Sequence, residues 1–218
     1  ISPNLQDSQA MTYDLDADKG ELRLKDFVEK GIDVLDNENG FFMMVEGGKI
    51  DWAGHANDAR SNIGDVIALN EAIEVAVDFA NEHPEETLII VTGDHETGGM
   101  TIGQATTGYT TAFDILENQK MSYVEFDKLI GDYKASTSAD KAKLEDLLPI
   151  IKENFGLVTS KDKDAAKNPA LVLTDYEYKK LENAFKETMK AQEDRAQGEQ
   201  QTALYGGYEP LSVTLTHI

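Results

Sequence analysis

Apolar residues recur at helical spacing over residues 22–35 and again over residues 63–81, with charged and polar residues between them. This spacing predicts two helices. Two short apolar runs, Phe41 to Val45 and Thr87 to Thr92, follow these helices in turn. Continuous runs of this kind are typical of strands that are buried on both faces of a sheet. Because helix and strand alternate, the sequence predicts an α/β fold with a largely parallel sheet flanked by helices.

The pattern changes after residue 103, where charged residues at helical spacing replace the alternation of helix and strand. We therefore predict three parts. Residues 1–103 would form part of an α/β core, residues 104–200 a helical insertion or cap, and residues 201–218 a return to the core. The last residues stop within an apolar stretch that has no helix stop signal. We expect them to approach a further strand, and we expect the sequence to be a truncated piece.

Local signals subdivide this pattern. Residues 46–62 are rich in glycine and polar residues and are predicted as a loop, and residues 197–207 are predicted as the loop that returns to the core. A capping box at Thr174 to Glu177 predicts the start of a helix. Pro149 is expected to break or kink another helix.

The composition excludes several classes of protein. With 218 residues, 40% of them hydrophobic, the chain has enough apolar material for one sizeable core. Acidic residues outnumber basic ones by 41 to 20, so the formal net charge is −21. This charge argues against a nucleic-acid or anionic-membrane binder, because both need positive surface. The lack of cysteine excludes disulfides and thiolate zinc sites, and no apolar run is long enough to predict a membrane span.

Carboxylate and imidazole side chains follow each predicted strand. Glu46, Asp51 and His55 come after the first strand, and Asp94 and His95 come after the second. Ligands bind at the carboxyl ends of the strands in open α/β sheets, so both groups are expected at the same edge. Carboxylate oxygen and neutral imidazole nitrogen are the usual zinc ligands where thiolate is absent. The sequence therefore predicts a metal site, although an isolated Asp-His pair is commonly a turn or a helix cap.

The other two histidines are interpreted as structural. His83, beside Pro84, is expected at a helix end, and His217 is expected in a helix or at the edge of a core. Glycines surround the candidate ligands, among them Gly54 and Gly98–Gly99. We expect them in turns that need positive φ, where backbone passes close to ions or phosphate, or in both roles.

Two motifs carry a resemblance to a known family. VEGGKIDWAGHAND at 45–58, followed by TLIIVTGDHETGG at 87–99, resembles the bacterial alkaline phosphatases. The resemblance is close over about residues 20–105 and looser beyond. It implies an alkaline phosphatase-like fold and a metal-dependent hydrolase of small phosphate monoesters, which acts through a phosphoserine intermediate. It also implies two zinc ions and one magnesium ion, a periplasmic or secreted location and, as is frequent in the family, a homodimer.

The resemblance implies one role for each matching polar residue. Asp51 and His55 would bind the first zinc ion. Asp94 and His95 would bind the second zinc ion. Glu46 would bind the neighbouring magnesium ion.

Other parts of the family's machinery have no counterpart in this sequence. The family's nucleophilic serine follows an aspartate near a strand, whereas Asp7 and Ser8 lie in a polar segment with no buried run before it. None of the three arginines fits the family's phosphate-binding position, and no His-Thr-Gly motif supplies a third histidine to the first zinc. We therefore expect the nucleophile to lie outside this chain, metal binding by the chain alone to be weak or absent, and no turnover. Trp52 stands where family members differ, and we expect it to bear on substrate phosphate contacts or on the variety of phosphatase.

Two other interpretations remain open at this point. One is another hydrolase of the same superfamily, such as a phosphodiesterase, sulfatase or phosphoglycerate mutase. These enzymes use the same kinds of metal ligand at other sequence spacings, and the spacing of Glu46 and Asp51 along the sequence favours the phosphatase. A non-catalytic α/β interaction module would use the candidate ligands to stabilise loops. Its working surface would be the helical insertion.

Overall fold

The computed structural model describes residues 5–6, 10–101, 103, 105, 108–191, 194–195 and 198–218. The α-helices are α1 (Leu24–Leu35), α2 (Gly48–His55), α3 (Ala59–Glu82), α4 (Phe113–Leu116), α5 (Tyr123–Ser136), α6 (Leu144–Phe155), α7 (Asp175–Met189), α8 (Gly198–Tyr205) and α9 (Pro210–Thr216), with a short 3-10 helix at Pro169–Leu171. Over these described residues no strand forms. An isolated parallel bridge joins Val158 to Val172.

The two helices predicted from periodicity are present and pack against each other. α1 lies along α3, and Lys25 of α1 donates to Glu71 of α3 over 2.7 Å. α3 begins four residues before the predicted start, because the Asp58 side chain caps it by accepting a hydrogen bond from the Ser61 backbone N–H. An N-cap of this kind stabilises a helix by roughly 1 kcal/mol.

The two predicted strands are not formed in the part of the chain that the structure describes. Residues 41–45 and 87–92 have no regular secondary structure. In the first segment exposure alternates: Phe41 packs on Phe79 of α3 with ring centroids 5.8 Å apart, whereas Phe42 is 89% exposed. A strand needs a neighbour whose backbone completes its ladder of hydrogen bonds. No strand is described beside these segments, so the predicted parallel sheet is not confirmed.

The loop predicted over residues 46–62 is wrong, because α2 and the start of α3 occupy most of it. Glycine makes this stretch a poor helix by propensity, at a cost of about 1 kcal/mol for each interior glycine. Packing overrides this cost: α2 lies against α3, and Ala53 and Ala56 are fully buried. The consequence is chemical, since residues four apart on a helix share one face.

The second half of the chain is helical, and helices of this half share one hydrophobic core. Its most deeply buried side chains are Phe126, Ile130, Leu147, Ile151, Leu181 and Leu211. α7 begins with the predicted capping box, in which the Thr174 hydroxyl accepts from the Glu177 backbone N–H and the Glu177 carboxylate accepts from Thr174.

Three local predictions in this half differ from the structure. α6 continues through Pro149, so of the expected break or kink the break is wrong; the buried apolar face of α6 offsets the loss of one backbone hydrogen bond. Residues 197–207, predicted as a loop, contain α8. The last residues form α9, a helix that the sequence did not predict, with Pro210 at the first helical position, where its missing N–H is not needed.

A buried carboxyl group joins the first half of the chain to the second. Asp58 is fully buried and accepts hydrogen bonds from the Gln119 side chain at 2.8 Å and the Tyr123 backbone N–H at 3.0 Å. Thr216 of α9 adds a second link by donating to the Ala56 carbonyl oxygen at 3.2 Å. The end of α2 is therefore held by groups that lie far along the chain.

Asp127 of α5 makes the stability of this half depend on pH. It accepts a short hydrogen bond from Ser212 of α9, and burial raises its pKa from the ordinary 3.8 to about 7. The folded protein therefore keeps this proton at pH values where the unfolded chain has lost it. The associated stability is complete below about pH 4 and is lost as the pH rises through about 7.

Asp127→Asn is expected to flatten the fall in stability between pH 4 and 8, because asparagine carries no charge to bury and still accepts from Ser212. At pH 8 we expect a melting temperature roughly 2–4 °C above that of the parent chain, which corresponds to about 1 kcal/mol. Thermal unfolding followed by circular dichroism across this pH range measures the effect. Asp132→Asn, at an exposed position on the same helix, is the control. An identical pH slope in all three proteins would contradict the prediction.

Candidate functional site

The two predicted ligand segments meet at Asp51. Its Oδ1 lies 3.5 Å from His55 Nε2 and 4.0 Å from His95 Nδ1. Asp94 Oδ2 lies 3.5 Å from His95 Nε2. Four of the five predicted metal ligands, from segments some forty residues apart, are thus brought to one place.

Each segment positions its side chains by local structure. Asp51 and His55 are four residues apart on α2 and project from the same side of the helix. Asp94 and His95 lie in a loop, where the Asp94 carboxylate accepts the His95 backbone N–H at 3.0 Å. The imidazoles of His55 and His95 are both more than half exposed, so an ion or substrate can reach them from solvent.

Two glycines allow the loop to lie directly on α2. Gly98 has a φ of +89°, and a Cβ at this position would clash with the Gly54 carbonyl oxygen. A Cβ on Gly54 would lie 2.8 Å from the Thr97 carbonyl oxygen. Both glycines are therefore required by the backbone approach that brings the two segments together.

Thr97 makes a direct link between the segments that the sequence analysis missed. The Thr97 hydroxyl donates to Asp51 Oδ1 at 2.6 Å. The oxygen of this hydroxyl also lies 3.0 Å from His95 Nδ1. The available signal was the threonine in HETGG, two residues after His95. A hydroxyl in that turn can reach both its own loop and a neighbouring element.

Glu46, the fifth predicted metal ligand, lines a small cavity. The cavity has a volume of about 60 Å³ and is also lined by Arg23, Lys49 and Asp65, and the other four predicted ligands are not part of this lining. Burial raises the pKa of Asp65 to about 7. Among the described residues, Glu46 forms no three-ligand group with Asp51 and His55.

Trp52 is 38% exposed and stands beside a cation. The Lys49 Nζ lies 4.8 Å from the centroid of the Trp52 ring and 3.7 Å from the centroid of the Tyr13 ring. Such contacts contribute roughly 0.5–2 kcal/mol. The contact with Lys49 restricts the orientation of the Trp52 ring on the surface of α2.

The remaining histidines lie where the sequence analysis expected them. His83 follows α3 and packs on Phe79 with ring centroids 4.6 Å apart. His217 follows α9 and is partly buried, and burial together with Lys180 lowers its pKa.

Two arginines are engaged in structural ion pairs. Arg23 pairs with Asp14, and Arg195 pairs with Glu209 at 3.1 Å. Asp7 and Ser8, which were rejected as the nucleophile pair, lie outside the described residues.

The side chains around Asp51 are of the types that bind zinc, but they are arranged as two pairs of ligands, fewer for each ion than a zinc site normally has. Carboxylate oxygen and imidazole nitrogen are zinc ligands, and a catalytic zinc has three of them from protein. Among the residues that the structure describes, no three histidine or acidic side chains are arranged to hold one ion. The pairs Asp51–His55 and Asp94–His95 therefore fit the chemistry of the metal and leave coordination positions open.

Within the described ranges, no helix combines the length and the apolar character needed to cross a bilayer.

Comparison with known proteins gives consistent matches. A family model described as alkaline phosphatase matches residues 5–205. The repressible alkaline phosphatase of Saccharomyces cerevisiae is 30% identical over 166 residues, which cover 70% of this chain and 29% of the yeast protein. Alkaline phosphatase 4 of Bacillus subtilis is 46% identical over 90 residues, which cover 41% of this chain and 19% of that protein.

Solved structures show the same similarity at the level of the fold. The crystal structure of Thermus thermophilus alkaline phosphatase matches with a TM-score of 0.63 at 24% identity, over 94% of this chain and 39% of that one. The cold-active alkaline phosphatase of a psychrophilic Shewanella species matches with a TM-score of 0.58 at 23% identity, over 95% of this chain and 41% of that one. The chain thus has the fold of one part of these proteins and spans less than a third of the yeast relative.

Gly98→Ala is expected to separate the loop from α2, because the new Cβ would clash with the Gly54 carbonyl oxygen. Gly99→Ala is the matched control: Gly99 also has a positive φ, +67°, but a Cβ there meets nothing within 4 Å. Both variants bear the strain of a left-handed alanine, roughly 1–3 kcal/mol. In Gly98→Ala alone, we expect amide hydrogens in peptides covering 50–56 and 93–100 to exchange faster than in the parent chain. If the clash adds 1.4 kcal/mol of strain, the exchange should be about tenfold faster.

Hydrogen–deuterium exchange measured by mass spectrometry tests this difference. Equal exchange in the two alanine variants would mean that the close backbone contact is not what holds the segments together.

Proposed function

The chain belongs to the alkaline phosphatase family, and on that premise we propose that it supplies part of the metal centre of a phosphate monoester hydrolase. The family resemblance inferred from the motifs at 45–58 and 87–99 is confirmed by the family match and by the relatives. Members of this family are enzymes. The metal identities, the ligand roles and the activity of the whole protein are the subject of the proposal.

The convergence of four donor side chains supports it. Asp51 lies within 4.0 Å of both imidazoles, His55 and His95, and His95 lies within 3.5 Å of Asp94. A loop-stabilising role alone would not require imidazoles that are more than half exposed. Exposed nitrogen next to carboxylate is the arrangement expected of an ion-binding pair.

Two zinc ions are the proposed occupants. Asp51 and His55 would hold the first, and Asp94 and His95 the second. Zinc ions held there would supply charge stabilisation for the leaving oxygen and would lower the pKa of the incoming nucleophile. The residues of this chain fix where that charge is placed, because α2 and the loop at 94–99 set the separation of the two pairs.

Glu46 and Trp52 extend the proposal. Glu46 is assigned to a magnesium ion, with its carboxylate at the edge of the small cavity beside α2. Trp52, held by Lys49, is assigned a role next to the substrate phosphate. Both assignments rest on the family resemblance, with the position of each residue on α2 or directly before it as support.

The serine nucleophile, the phosphate-binding arginine and a further zinc ligand are proposed to come from the part of an alkaline phosphatase that this chain does not span. The parallel sheet belongs to the same proposal. Phe42, Met44, Leu88 and Ile90 are all more than 70% exposed. Apolar side chains that alternate with packed ones along a segment are what a sheet neighbour and a covering layer would bury.

Zinc added to the metal-free chain is expected to shift or broaden the ring signals of His55 and His95 in NMR spectra, because their nitrogens face the proposed ions. His83 and His217, which lie outside the cluster, are internal controls and should respond much less. The response should need a large excess of zinc, since two protein ligands for each ion give weak binding. It should be reversed by a chelator.

The variant Asp51→Asn should weaken the response of His55, because Asp51 is the other proposed ligand of the same ion, while His83→Ala should not. Equal responses from all four histidines would indicate unspecific binding and would count against the proposal. Of the weak or absent binding expected from the sequence, the paired and exposed donors favour weak binding, so no response at any of them would contradict the proposal.

The chain by itself, supplied with zinc and magnesium, is expected not to hydrolyse p-nitrophenyl phosphate faster than the same metals in buffer. The proposed reason is that the serine nucleophile and the phosphate-binding arginine come from the part of an alkaline phosphatase that this chain does not span. Release of p-nitrophenol, followed by absorbance, measures the rate. A rate above the buffer blank that disappears in His95→Ala would show this prediction to be wrong.

A further inference from the structure

The hydroxyl of Thr97 has a defined hydrogen-bond direction. It has one proton to donate, and its oxygen can also accept. The acceptor is Asp51 Oδ1, 2.6 Å away, and an ionised carboxylate can only accept. The Thr97 oxygen must therefore accept from its other neighbour, His95 Nδ1, at 3.0 Å.

This direction determines where the proton of the neutral His95 ring lies. To donate to Thr97, Nδ1 must carry the hydrogen. The Glu96 carbonyl oxygen, 3.3 Å from the same nitrogen, requires it as well, because a carbonyl only accepts. Nε2 is then left with its lone pair, and it lies 3.5 Å from Asp94 Oδ2.

From this geometry we infer that Thr97 is a positioning residue of the metal centre, joining its two ligand pairs. It holds the Asp51 carboxylate of the first pair, and it sets the tautomer of His95 in the second pair so that Nε2 is free to bind an ion together with Asp94. The inference rests on the proposed zinc function. It adds a residue that contacts neither proposed ion and acts through Asp51 and His95.

The placement of Thr97 is supported independently by packing. Its methyl group lies 3.2 Å from the position that a Cβ on Gly54 would take, and its carbonyl oxygen lies 2.8 Å from that position. Contact with α2 thus restricts both the backbone and the rotamer of Thr97. The hydroxyl is directed at Asp51 by the same glycine contact that joins the loop to the helix.

Two substitutions separate the hydroxyl from the rest of the side chain. Thr97→Val has nearly the same shape and no hydroxyl. Thr97→Ser retains the hydroxyl and loses the methyl group. Each variant is compared with the parent chain by two measurements that do not depend on activity.

The first measurement is the tautomer of His95 in the metal-free chain, read from long-range proton–nitrogen NMR spectra at about pH 8, where imidazole is ordinarily neutral. The parent chain and Thr97→Ser should carry the proton on Nδ1, and Thr97→Val should gain a population with the proton on Nε2. The second is the dissociation constant of zinc from the His95 ring signal. It should rise roughly tenfold in Thr97→Val, the usual scale for loss of an outer partner, and stay within about twofold in Thr97→Ser.

The outcomes distinguish this inference from the function on which it rests. An unchanged tautomer in Thr97→Val overturns the role of Thr97 even if zinc binds to His55 and His95 as proposed. A changed tautomer with an unchanged zinc dissociation constant also overturns it, because the ring orientation would then not matter to the ion. If zinc affects no histidine of the parent chain, the proposed function fails first and this inference fails with it.

Discussion

The candidate site depends on the close contact of two backbones, at Gly54 in α2 and at Gly98 in the loop after residue 92. A side chain at either glycine would collide with the opposite backbone, and Gly98 also needs a left-handed φ of +89°, which other residues rarely adopt. Once the loop lies on the helix, the Thr97 hydroxyl reaches Asp51 at 2.6 Å. His95 then reaches the same carboxylate, so the grouping of donors follows from one backbone contact.

α2 is itself held in place from the other half of the chain. Asp58, just after α2, receives hydrogen bonds from Gln119 and Tyr123, and Thr216 of α9 donates to Ala56. Asp58 is fully buried, so the loss of one partner would leave a polar atom unsatisfied at a cost of about 1–3 kcal/mol. The helical half, with its own hydrophobic core, therefore serves as the support on which the donor-bearing helix rests.

The negative net charge of the chain means that the proposed cations would also be needed to attract a phosphate substrate. The chain has a formal net charge of −21, and a phosphate monoester is also an anion, so the protein surface repels the substrate class proposed for it. Divalent ions are commonly the largest local charges at a site and can reverse its sign. Acidic ligands such as Asp51 and Asp94 would thus attract the cations, and the cations would make the site attractive to phosphate.

Local signals in the amino-acid sequence were enough to predict α1, most of α3, the capping box of α7 and the residues now grouped around Asp51, because helical periodicity, cap chemistry and motif spacing are properties of short segments. They did not predict α2, since its glycines have low helix propensity and become favourable only when Ala53 and Ala56 are buried and the loop packs on Gly54. They also could not predict the link from Thr97 to Asp51, or the cavity that Glu46 lines together with Arg23, Lys49 and Asp65. Those features depend on contacts between segments that lie far apart along the chain, and such contacts exist only once the chain has folded.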